Sequence, residues 1–327
     1  MDSINKDIKN LLEKVNKSIK RQEMQVMDGD KSILRNFVND NVGTIEMIQK
    51  LTNEELLEME RNGGVAGVDG SVNRAGGSYP HFIEIYQAMA KSTVQRDNPA
   101  ILSQVYTPIL DDPPPKSTSK DEEVNKEQRN TRLATIEAEA GIKSVKEHRP
   151  YALIMDGGLI RYHIYAAESW KKLVELCEET GTILIGVIKD IKTSSIGDRI
   201  KEDIPQIKIV LYDRELLFGL LEYGEFLIVS DEINKKQPML GSGFIRSSLS
   251  PMAIGIDIIH SQKHRLKEMA RLVLTLTPEN SRGVPLWLDI IDKEVKISDD
   301  MMKAMLERYL DRGVYEKYFV SEREKRS

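Results

Sequence analysis

The chain has 327 residues, a length that allows one large domain or two of modest size. Hydrophobic residues make up 40% and charged residues 30% of it, which is the composition of a globular protein and excludes a collagen-like or largely disordered chain. The 47 basic and 52 acidic side chains give a net charge of −5. This charge argues against a protein that coats nucleic acid with a broad basic face, but it leaves room for a local basic channel. Because Cys177 is the single cysteine, an intrachain disulfide and a cysteine-based zinc site are excluded.

No segment of the sequence has the pattern of a secretory signal or of a membrane helix. The N-terminal segment carries charges throughout and lacks an apolar core. The longest apolar runs, such as YALIM and ILIGVI, fall far short of the roughly 18 residues that a membrane helix needs. We therefore expect a soluble, cytoplasmic protein.

Residues 1–62 are predicted to form a helical N-terminal region. Apolar residues recur at steps of three and four along residues 1–28, which predicts an amphipathic helix whose stripe contains Ile4, Ile8, Leu11, Val15 and Ile19. An arm of this kind has to pack against another surface. A second helix is predicted from Asp40 to Arg61.

The next segment is rich in glycine and predicts the start of a sheet. An apolar run from Val65 to Val68 predicts a buried strand that ends in a turn at Asp69-Gly70-Ser71, before a second strand toward Phe82–Tyr86. Residues 111–130 contain three consecutive prolines and many charges, so we expect a surface insertion within the domain. A helix is predicted after the insertion, with an apolar set that includes Leu133, Ile136, Ala140 and Val145.

Strands and helices alternate through the rest of the chain. Residues 151–159 predict a buried strand that ends at Asp156-Gly157-Gly158, and residues 182–195 predict another that leads to Lys189. Helices are predicted at 168–180, Asp213–Tyr223, 284–298 and 299–327, and strands at Phe226–Ser230 and within Ile245–Ile259, whereas 264–276 fits either type. The alternation indicates the α/β class with a mostly buried mixed sheet.

Two predicted strands share one ending, an aspartate followed by a glycine, at Asp69-Gly70 and at Asp156-Gly157. An α/β fold gathers its ligands at strand ends, and the glycine lets a substrate approach closely. Two such carboxylates on adjacent strands can share Mg²⁺ or Mn²⁺, because these ions suit oxygen ligands. With a third carboxylate from a helix, two metal ions about 4 Å apart could support in-line attack on a phosphodiester. Asp-Gly is also a common turn dipeptide, so the residues alone leave both interpretations open.

Six segments, in their order along the chain, resemble the NurA nuclease family, whose core has an RNase H-like fold. They are GVDGS (67–71), RLATIEAEA (132–140), LIMDGGL (153–159), GVIKD (186–190), LYDRELLFGLL (211–221) and GVPLWLDIIDKEVKIS (283–298). Each segment is weak alone, whereas the ordered set, from about residue 63 to 300, is fairly specific.

The resemblance implies an architecture, an activity and partners. The architecture is an RNase H-like mixed sheet flanked by helices over residues 63–300, with the helical region 1–62 before it and a helical tail, 301–327, after it. The activity is that of a nuclease that depends on Mn²⁺ or Mg²⁺ and processes DNA ends. The implied partners are DNA, a second copy of the chain in a homodimer, and a HerA-type hexameric ATPase translocase.

The resemblance also implies roles for individual residues. Asp69 would bridge the metal ions and Asp156 would bind one of them. The family's helix glutamate has two candidates, Glu137 and Glu139, which diverge by about 200° on a helix, so that only one can face the site. Glu137 shares its face with the apolar residues four before and three after it, and we therefore expect Glu137 to be the ligand.

The predicted helix at 284–298 and the predicted strand at 182–195 complete the implied site. Asp292 is the fourth implied ligand, because it lies beside the predicted buried stripe of Leu288, Ile291 and Val295. Asp289, in the first turn, is interpreted as an acid that the helix dipole favours. Lys189 is implied to neutralise the phosphate or the charge that develops in the transition state. The chain departs from the family at Val284, where members often carry an aromatic ring.

Other polar residues receive less specific interpretations. Asp213 is predicted to cap the helix that starts at Arg214. Arg214 and Arg246 are candidate phosphate contacts, and the basic run at 263–267 is either a solvated helix face or a track for the DNA backbone. The sequence contains no Walker lysine motif, no HExxH and no GxSxG nucleophile elbow.

We therefore expect a DNA nuclease that hydrolyses phosphodiesters with metal-activated water. The alternative is a non-catalytic adapter, which docks on a hexameric ATPase through its N-terminal helix and guides DNA without cutting it. A phosphotransferase of the actin and sugar-kinase type is a third hypothesis, because Asp-Gly strand ends also serve nucleotide-bound metals in those proteins. Metal-dependent cleavage of linear DNA and hydrolysis of ATP distinguish these hypotheses.

Overall fold

The computed structural model describes residues 2–27, 31–111, 121–204, 210–236 and 238–320. These residues form a nine-stranded mixed sheet with helices on both faces. The strands are β1 (Gly43–Met47), β2 (Val65–Gly76), β3 (Phe82–Ser92), β4 (Ala100–Tyr106), β5 (Ala152–Asp156), β6 (Ile183–Ile188), β7 (Glu225–Val229), β8 (Leu240–Ile245) and β9 (Ile254–Ile259).

The helices lie between and around these strands. They are α1 (Asp2–Met27), α2 (Lys31–Asn41), α3 (Asn53–Arg61), α4 (Pro108–Asp111), α5 (Asp121–His148), α6 (Ile160–Tyr165), α7 (Ala167–Thr180), α8 (Ser195–Asp203), α9 (Asp213–Leu217), α10 (Leu266–Leu276), α11 (Leu286–Val295), α12 (Asp299–Tyr309) and α13 (Arg312–Tyr318). Among the described residues, no helix combines the length and the apolar character that crossing a bilayer would require.

The strand order confirms the expected RNase H-like core. The sheet runs β1-β7-β8-β9-β6-β5-β2-β3-β4. Within it, β2, β5 and β6 pair in parallel, and β3 is antiparallel to both β2 and β4. The order β4-β3-β2-β5-β6, with α5 before β5 and with α6 and α7 before β6, is the topology of an RNase H-like core. Four more antiparallel strands extend the sheet beyond β6.

The sheet buries an apolar core on each of its two faces. On one face, α5, α6 and α7 pack residues such as Ala138, Tyr162 and Leu173 against β2 and β5. On the other face, α10 and α11 supply Val273 and Leu288. Both α5 and α11 therefore pack against β2, one from each side, and the middle of β2 is where residues from the two helices can approach the same strand.

The helix predicted from Asp40 to Arg61 is wrong. The structure has the end of α2, then strand β1, and then α3 in this segment. Strand β1 pairs antiparallel with β7, so its Thr44 and Ile45 occupy a sheet edge. Helix α3 starts afresh after Thr52, whose side chain forms a capping box with Glu55. The apolar residues match a helical period although a strand separates two helices in this segment.

The predicted turn at Asp69-Gly70-Ser71 is also wrong, because β2 continues to Gly76. Residues Ala66 to Gly76 pair in unbroken register with Ser92 to Phe82 of β3. Asp69 therefore lies within a strand, opposite Met89. Asp-Gly is a common turn dipeptide, but here its backbone N–H and C=O groups belong to the continuous pairing of β2 with β3, so no turn forms.

Several other boundaries differ from the expected ones. The expected insertion at 111–130 contains the first turns of α5 from Asp121, and its residues 112–120 lie outside the described residues. The helix predicted from Asp213 ends at Leu217, and the strands at 245–259 include only Ile245 and residues from Ile254 onward. The C-terminal tail forms two helices, α12 and α13, up to residue 318, and residues 321–327 lie outside the described residues. The undecided segment 264–276 is largely helical, as α10.

The buried Asp213 does not cap its own helix as predicted. Its carboxylate accepts hydrogen bonds from Thr193 Oγ1 at 2.5 Å and from the backbone N–H groups of Ser195 and Ile196 at 3.0 and 2.9 Å. These groups open α8, so Asp213 caps the N-terminus of a helix that precedes it in the chain. The prediction failed because the sequence shows only which helix follows an acid, and not which helix end it meets in space.

Candidate active site

Strands β2 and β5 place Asp69 and Asp156 side by side. The two strands pair in parallel with Val68 opposite Met155, so the next residue of each strand is one of the two aspartates. Neighbouring strands lie about 4.8 Å apart, which brings the two carboxylates close together. Asp69 is buried, and the side chain of Asp156 is 15% exposed. The backbone turns directly after Asp156, where Gly157 has a φ of 110° that a side chain would disfavour.

Asp69 is electrostatically strained by this position. Burial raises the pKa of its carboxyl group to about 8, and the charge of Asp156 adds to the rise. A hydrogen bond from the N–H of Gly70 and the charge of Lys189 act in the opposite direction, and the charge of Asp292 raises the pKa further. A buried carboxyl group with two acidic neighbours is an unfavourable arrangement for folding, and its persistence is typical of a functional site.

Lys189 pairs with Asp156. The lysine follows the end of β6, and its Nζ donates to Oδ2 of Asp156 at 2.5 Å. Strands β5 and β6 are parallel neighbours, so the residues that end them meet at the same edge of the sheet. The prediction that Lys189 follows a buried strand is confirmed, and its positive charge opposes the rise in the pKa of Asp69.

Helix α11 brings Asp292 to the face of β2 that carries Asp69 and Ser71. The helix crosses β2, and Ser71 Oγ donates to the carbonyl of Val295 at 2.7 Å. Leu288, Ile291 and Val295 form the buried stripe that was expected, and Asp292 is exposed beside it. Its charge makes a minor contribution to the raised pKa of Asp69, after burial and the charge of Asp156. Asp289 instead pairs with Arg282 at 2.5 Å.

Glu137 approaches β2 from the opposite side, on α5. Its side chain is buried and its carboxylate lies against Gly70, where an added Cβ would come within 2.6 Å of Oε1. Arg161 forms an ion pair with the other carboxylate oxygen, Oε2, and the buried Tyr162 donates its hydroxyl to Oε2 at 2.7 Å. Glu139 is exposed, which agrees with the expected orientation of this helix.

Tyr162 connects the two sides of the site. Burial raises the pKa of its hydroxyl group to about 12, and the charges of Asp156 and Asp69 contribute to the rise while Arg161 opposes it. The hydroxyl that binds Glu137 is therefore within electrostatic reach of both aspartates. It remains protonated at neutral pH and acts as a hydrogen-bond donor.

The structure thus places Asp156, its partner Lys189 and Asp292 within electrostatic reach of Asp69, whereas Glu137 approaches β2 from the opposite side. Among the described residues, no three acidic, histidine or cysteine side chains are close enough together to hold a metal ion as they stand. Asp156 and Glu137 each bind a cation of the protein itself, Lys189 and Arg161 respectively. The donor set consists of carboxylate oxygens, which suits a hard divalent cation.

Three residues that border the site were not predicted from the sequence. Arg161 and Tyr162 follow the LIMDGGL segment by two and three residues, on α6. Asp257 is fully buried in β9, where it accepts hydrogen bonds from Lys236 Nζ at 2.5 Å, Ser242 Oγ at 2.8 Å and the N–H of Leu159 at 3.2 Å. Asp257 thereby supports the turn that follows Asp156. The one signal was a lone acid inside the apolar run IGIDII.

The remaining basic candidates have partners away from the aspartates. Arg214 pairs with Asp190, and Arg246 donates to backbone carbonyls in the loops around it. In the run 263–267, the lysines and the arginine pair with acids as Lys263–Asp231, Arg265–Glu268 and Lys267–Glu46. Val284, at the position where the family often has an aromatic ring, is buried in the core.

A comparison with protein-family models decides the family. The model described as the NurA domain matches residues 63–297, which is most of the chain. The chain belongs to the NurA family. The resemblance that the six sequence segments suggested is therefore confirmed, and membership of this family supports a nuclease activity.

Other comparisons add context. No curated protein matches this NurA chain. A solved structure of endonuclease V from Bacillus subtilis is similar to it at 12% identity and a TM-score of 0.41, over 85% of this chain and 92% of that chain. The catalytic domain of human endonuclease V matches at 14% identity and a TM-score of 0.38, over 89% and 97%. Argonaute from Kluyveromyces polysporus matches at 11% identity and a TM-score of 0.37, over 80% of this chain and 30% of that chain. The fold assignment rests on the strand order described above.

Proposed function

We propose that this protein is a divalent-metal-dependent DNA nuclease that hydrolyses phosphodiester bonds during the processing of DNA ends. The observation that carries the proposal is the pairing of β2 with β5, which holds two carboxylates side by side in a buried place. The raised pKa of Asp69 gives the physical reason, since burial and the charge of Asp156 both disfavour the charged carboxylate until a cation offsets them. Mn²⁺ or Mg²⁺ is the expected ion, because all the donors are carboxylate oxygens.

The residues that would hold the metal are Asp69, Asp156, Asp292 and Glu137. A divalent ion bound there supplies charge for the phosphate oxygens and lowers the pKa of a water molecule toward neutrality. Asp69 would lie at the centre, since its strand, β2, contacts β5, α11 and α5, the elements that carry the other three ligands. Glu137 reaches this strand at Gly70, and the hydroxyl of Tyr162 orients its carboxylate.

Lys189 has two roles in the proposed reaction. It holds the carboxylate of Asp156 in one orientation, through the 2.5 Å contact. Its charge also lies where it can offset negative charge on the phosphate as the bond to the leaving oxygen breaks. We expect Lys189 to contribute to the rate more than to substrate binding, because it is already engaged with Asp156 before DNA arrives.

The proposal includes partners and a location. The protein acts on DNA in the cytoplasm as a homodimer, together with a HerA-type hexameric ATPase that moves DNA toward it. Helix α1 is the proposed docking segment for the ATPase. Its side chains Ile8, Leu11, Leu12, Val15 and Ile19 are 49–63% exposed, although they form the apolar stripe of an amphipathic helix.

The same exposed stripe favours a second candidate function, that of a non-catalytic adapter. In this case the chain would guide DNA for the ATPase, and the aspartates would have no part in cleavage. The two candidates differ in what happens to linear DNA when the purified protein is given Mn²⁺, with and without the ATPase.

The test is cleavage of linear DNA by the wild-type protein, Asp156→Ala and a matched control, Asp231→Ala. Asp231 is an exposed acid that pairs with Lys263 outside the site. We expect Mn²⁺-dependent cleavage by the wild type and the control, and a loss of at least about 100-fold in Asp156→Ala, since such a site depends on each of its ligands. Equal cleavage by Asp156→Ala and the wild type would reject the proposed site, and no cleavage under any condition would favour the adapter.

Thermal stability gives a readout that does not depend on activity. A ligand that binds only the folded state at 100 times its Kd stabilises the fold by about 2.7 kcal/mol. We expect Mn²⁺ to raise the Tm of the wild-type protein and Asp69→Ala to remove most of that rise. If the shift is equally large in Asp69→Ala, the metal binds elsewhere.

A further inference from the structure

Three cationic side chains of the structure border the acidic residues of the site. Lys189 pairs with Asp156, Arg161 pairs with Glu137, and Arg282 pairs with Asp289. The first two cations are engaged by proposed metal ligands. The partner of Arg282 is an acid that has no proposed role in metal binding.

Arg282 is also the most exposed of the three. Its side chain is 59% exposed, compared with 33% for Arg161 and 22% for Lys189. It nevertheless borders the site, because it pairs with Asp289 on α11, three residues before Asp292, and the charges of Asp292 and Asp156 add to the effect of Asp289 in raising the pKa of its guanidinium group. Arg282 therefore combines closeness to the acids with access to solvent.

The backbone that follows Arg282 is held in place by a hydrogen bond and by the start of a helix. The next residue, Gly283, has its carbonyl held by the buried hydroxyl of Ser247 at 2.6 Å. Three residues later α11 begins, and Asp289 lies in its first turn. The arginine thus extends from an anchored segment toward solvent, and among the described residues its head group is held by the exposed ion pair with Asp289.

We infer that Arg282 binds a backbone phosphate of the DNA strand that enters the site, and that this phosphate replaces Asp289 as its partner. The inference rests on the proposed function, because it takes DNA as the substrate. A guanidinium group presents paired N–H donors that match a phosphate as well as a carboxylate. Exposed ion pairs contribute little to stability, so exchanging Asp289 for phosphate costs little. Neither Lys189 nor Arg161 could make this exchange without releasing a proposed metal ligand.

This arrangement gives Asp289 a defined part. It holds the guanidinium group beside the site in the free protein and competes with phosphate for it. The two residues should therefore have opposite effects on DNA affinity. If Arg282 served only to brace the start of α11, removal of either partner would have the same effect.

The experiment measures Kd for a fluorescein-labelled DNA oligonucleotide in EDTA, over a series of salt concentrations. We expect Arg282→Gln to weaken binding by about tenfold and to reduce the salt slope by about 0.7 to 0.9, which corresponds to one lost phosphate contact. Arg282→Lys should keep most of the slope, because it keeps the charge. Asp289→Asn should bind at least as tightly as the wild type, and its gain should vanish in the double variant Arg282→Gln/Asp289→Asn.

The matched control is Arg312→Gln. Arg312 is an exposed arginine on α13 that pairs with Glu316, so its loss removes the same charge outside the site. Unchanged affinity and slope in Arg282→Gln, a loss that the control reproduces, or equal weakening in Asp289→Asn would overturn the inference. If Arg282→Gln does not fold, Arg282→Lys and Asp289→Asn decide by the same criteria. Wild-type protein that neither binds nor cuts DNA would overturn the proposed function as well, whereas failure of the Arg282 comparison in an active nuclease overturns this inference alone.

Discussion

Glu137 has an environment that few glutamates have. It is 2% exposed, and its carboxylate touches Gly70 of the strand that carries Asp69. Arg161 and Tyr162 satisfy it from the far side. Burying a carboxylate in this way is costly unless it is paired and hydrogen-bonded, and the two residues of α6 supply a positive charge and a hydroxyl donor to its Oε2.

The first prediction compares the two glutamates of α5. Glu137→Gln should reduce Mn²⁺-dependent cleavage by at least about 100-fold, because an amide is a poor ligand for a divalent cation and no longer attracts Arg161. Glu139→Gln should cleave like the wild type, since this exposed side chain lies on another face of the same helix. Rates under single-turnover conditions measure both. Equal losses in the two variants would show that the helix, and not the carboxylate of Glu137, matters.

Some residues of the site could be predicted from the sequence, and others could not. The choice of Glu137 over Glu139 followed from helical period alone, and the structure buries the first and exposes the second. Arg161, Tyr162 and Asp257 could not be predicted in the same way. Glu137 lies 24 residues from Arg161 and 25 from Tyr162, the partners of Asp257 lie 15, 21 and 98 residues from it, and no local pattern encodes such pairings.

Helix α8 depends on a residue outside it. Its first backbone N–H groups bind the carboxylate of Asp213, which lies at the start of α9 and is fully buried. Ser194, the residue that immediately precedes α8, makes no capping bond with its side chain. The segment between β6 and β7 is thus held together by one carboxylate that joins two short helices.

The second prediction follows from this cap. Asp213→Ala should lower the free energy of unfolding by about 2–4 kcal/mol, because it leaves several buried donors without an acceptor. Asp213→Asn should cost less, since it keeps one oxygen acceptor. Denaturant unfolding followed by circular dichroism measures both values. Asp190→Ala, which removes an exposed acid nearby, is the control and should change stability little. A loss below about 0.5 kcal/mol in Asp213→Ala would contradict the assigned cap.

Strand β2 shows why element boundaries were harder to predict than element types. Its sequence contains the turn signal Asp-Gly and several further glycines, and nothing local indicates that the strand continues to Gly76. Pairing with β3 along eleven residues decides the matter. The shorter, continuously apolar strands β5 and β6 agree with their predictions, because a run of apolar residues indicates a buried strand without cross-strand information.

For the whole molecule, the strained carboxyl group of Asp69 predicts how stability changes with pH in the absence of metal. Its pKa is raised from 3.8 to about 8, so the folded protein retains a proton that the unfolded chain loses. The stabilising contribution of that proton is fully present below about pH 4 and is lost as pH rises through about 8. Asp69→Asn, which resembles the protonated form, should therefore show a flatter decline of Tm between pH 5 and 8.

The measurement is a series of thermal melts in EDTA with both proteins. Other groups titrate over this range in both, so the informative quantity is the difference between the two curves. Their difference should grow in favour of Asp69→Asn as pH rises. Parallel curves would show that the proton on Asp69 does not contribute to folding.

The extension of the sheet beyond the RNase H-like core could not be predicted from the sequence. The α/β class followed from alternating elements, and the core order from the family resemblance. The positions of β7, β8 and β9 beside β6, and of β1 at the outer edge, depend on antiparallel pairings between distant segments. These pairings also explain why residues before 63 belong to the same sheet as the residues that the family model matches.

The position of β1 has a consequence for how the chain is made. Gly43 pairs with Val229, so β1 leaves the ribosome about 185 residues before its partner strand. At synthesis rates of 5–20 residues per second, β1 waits roughly 10–40 s for β7. During that interval the start of the chain cannot reach its final place, and the sheet acquires its outermost strand only after most of the protein has been translated.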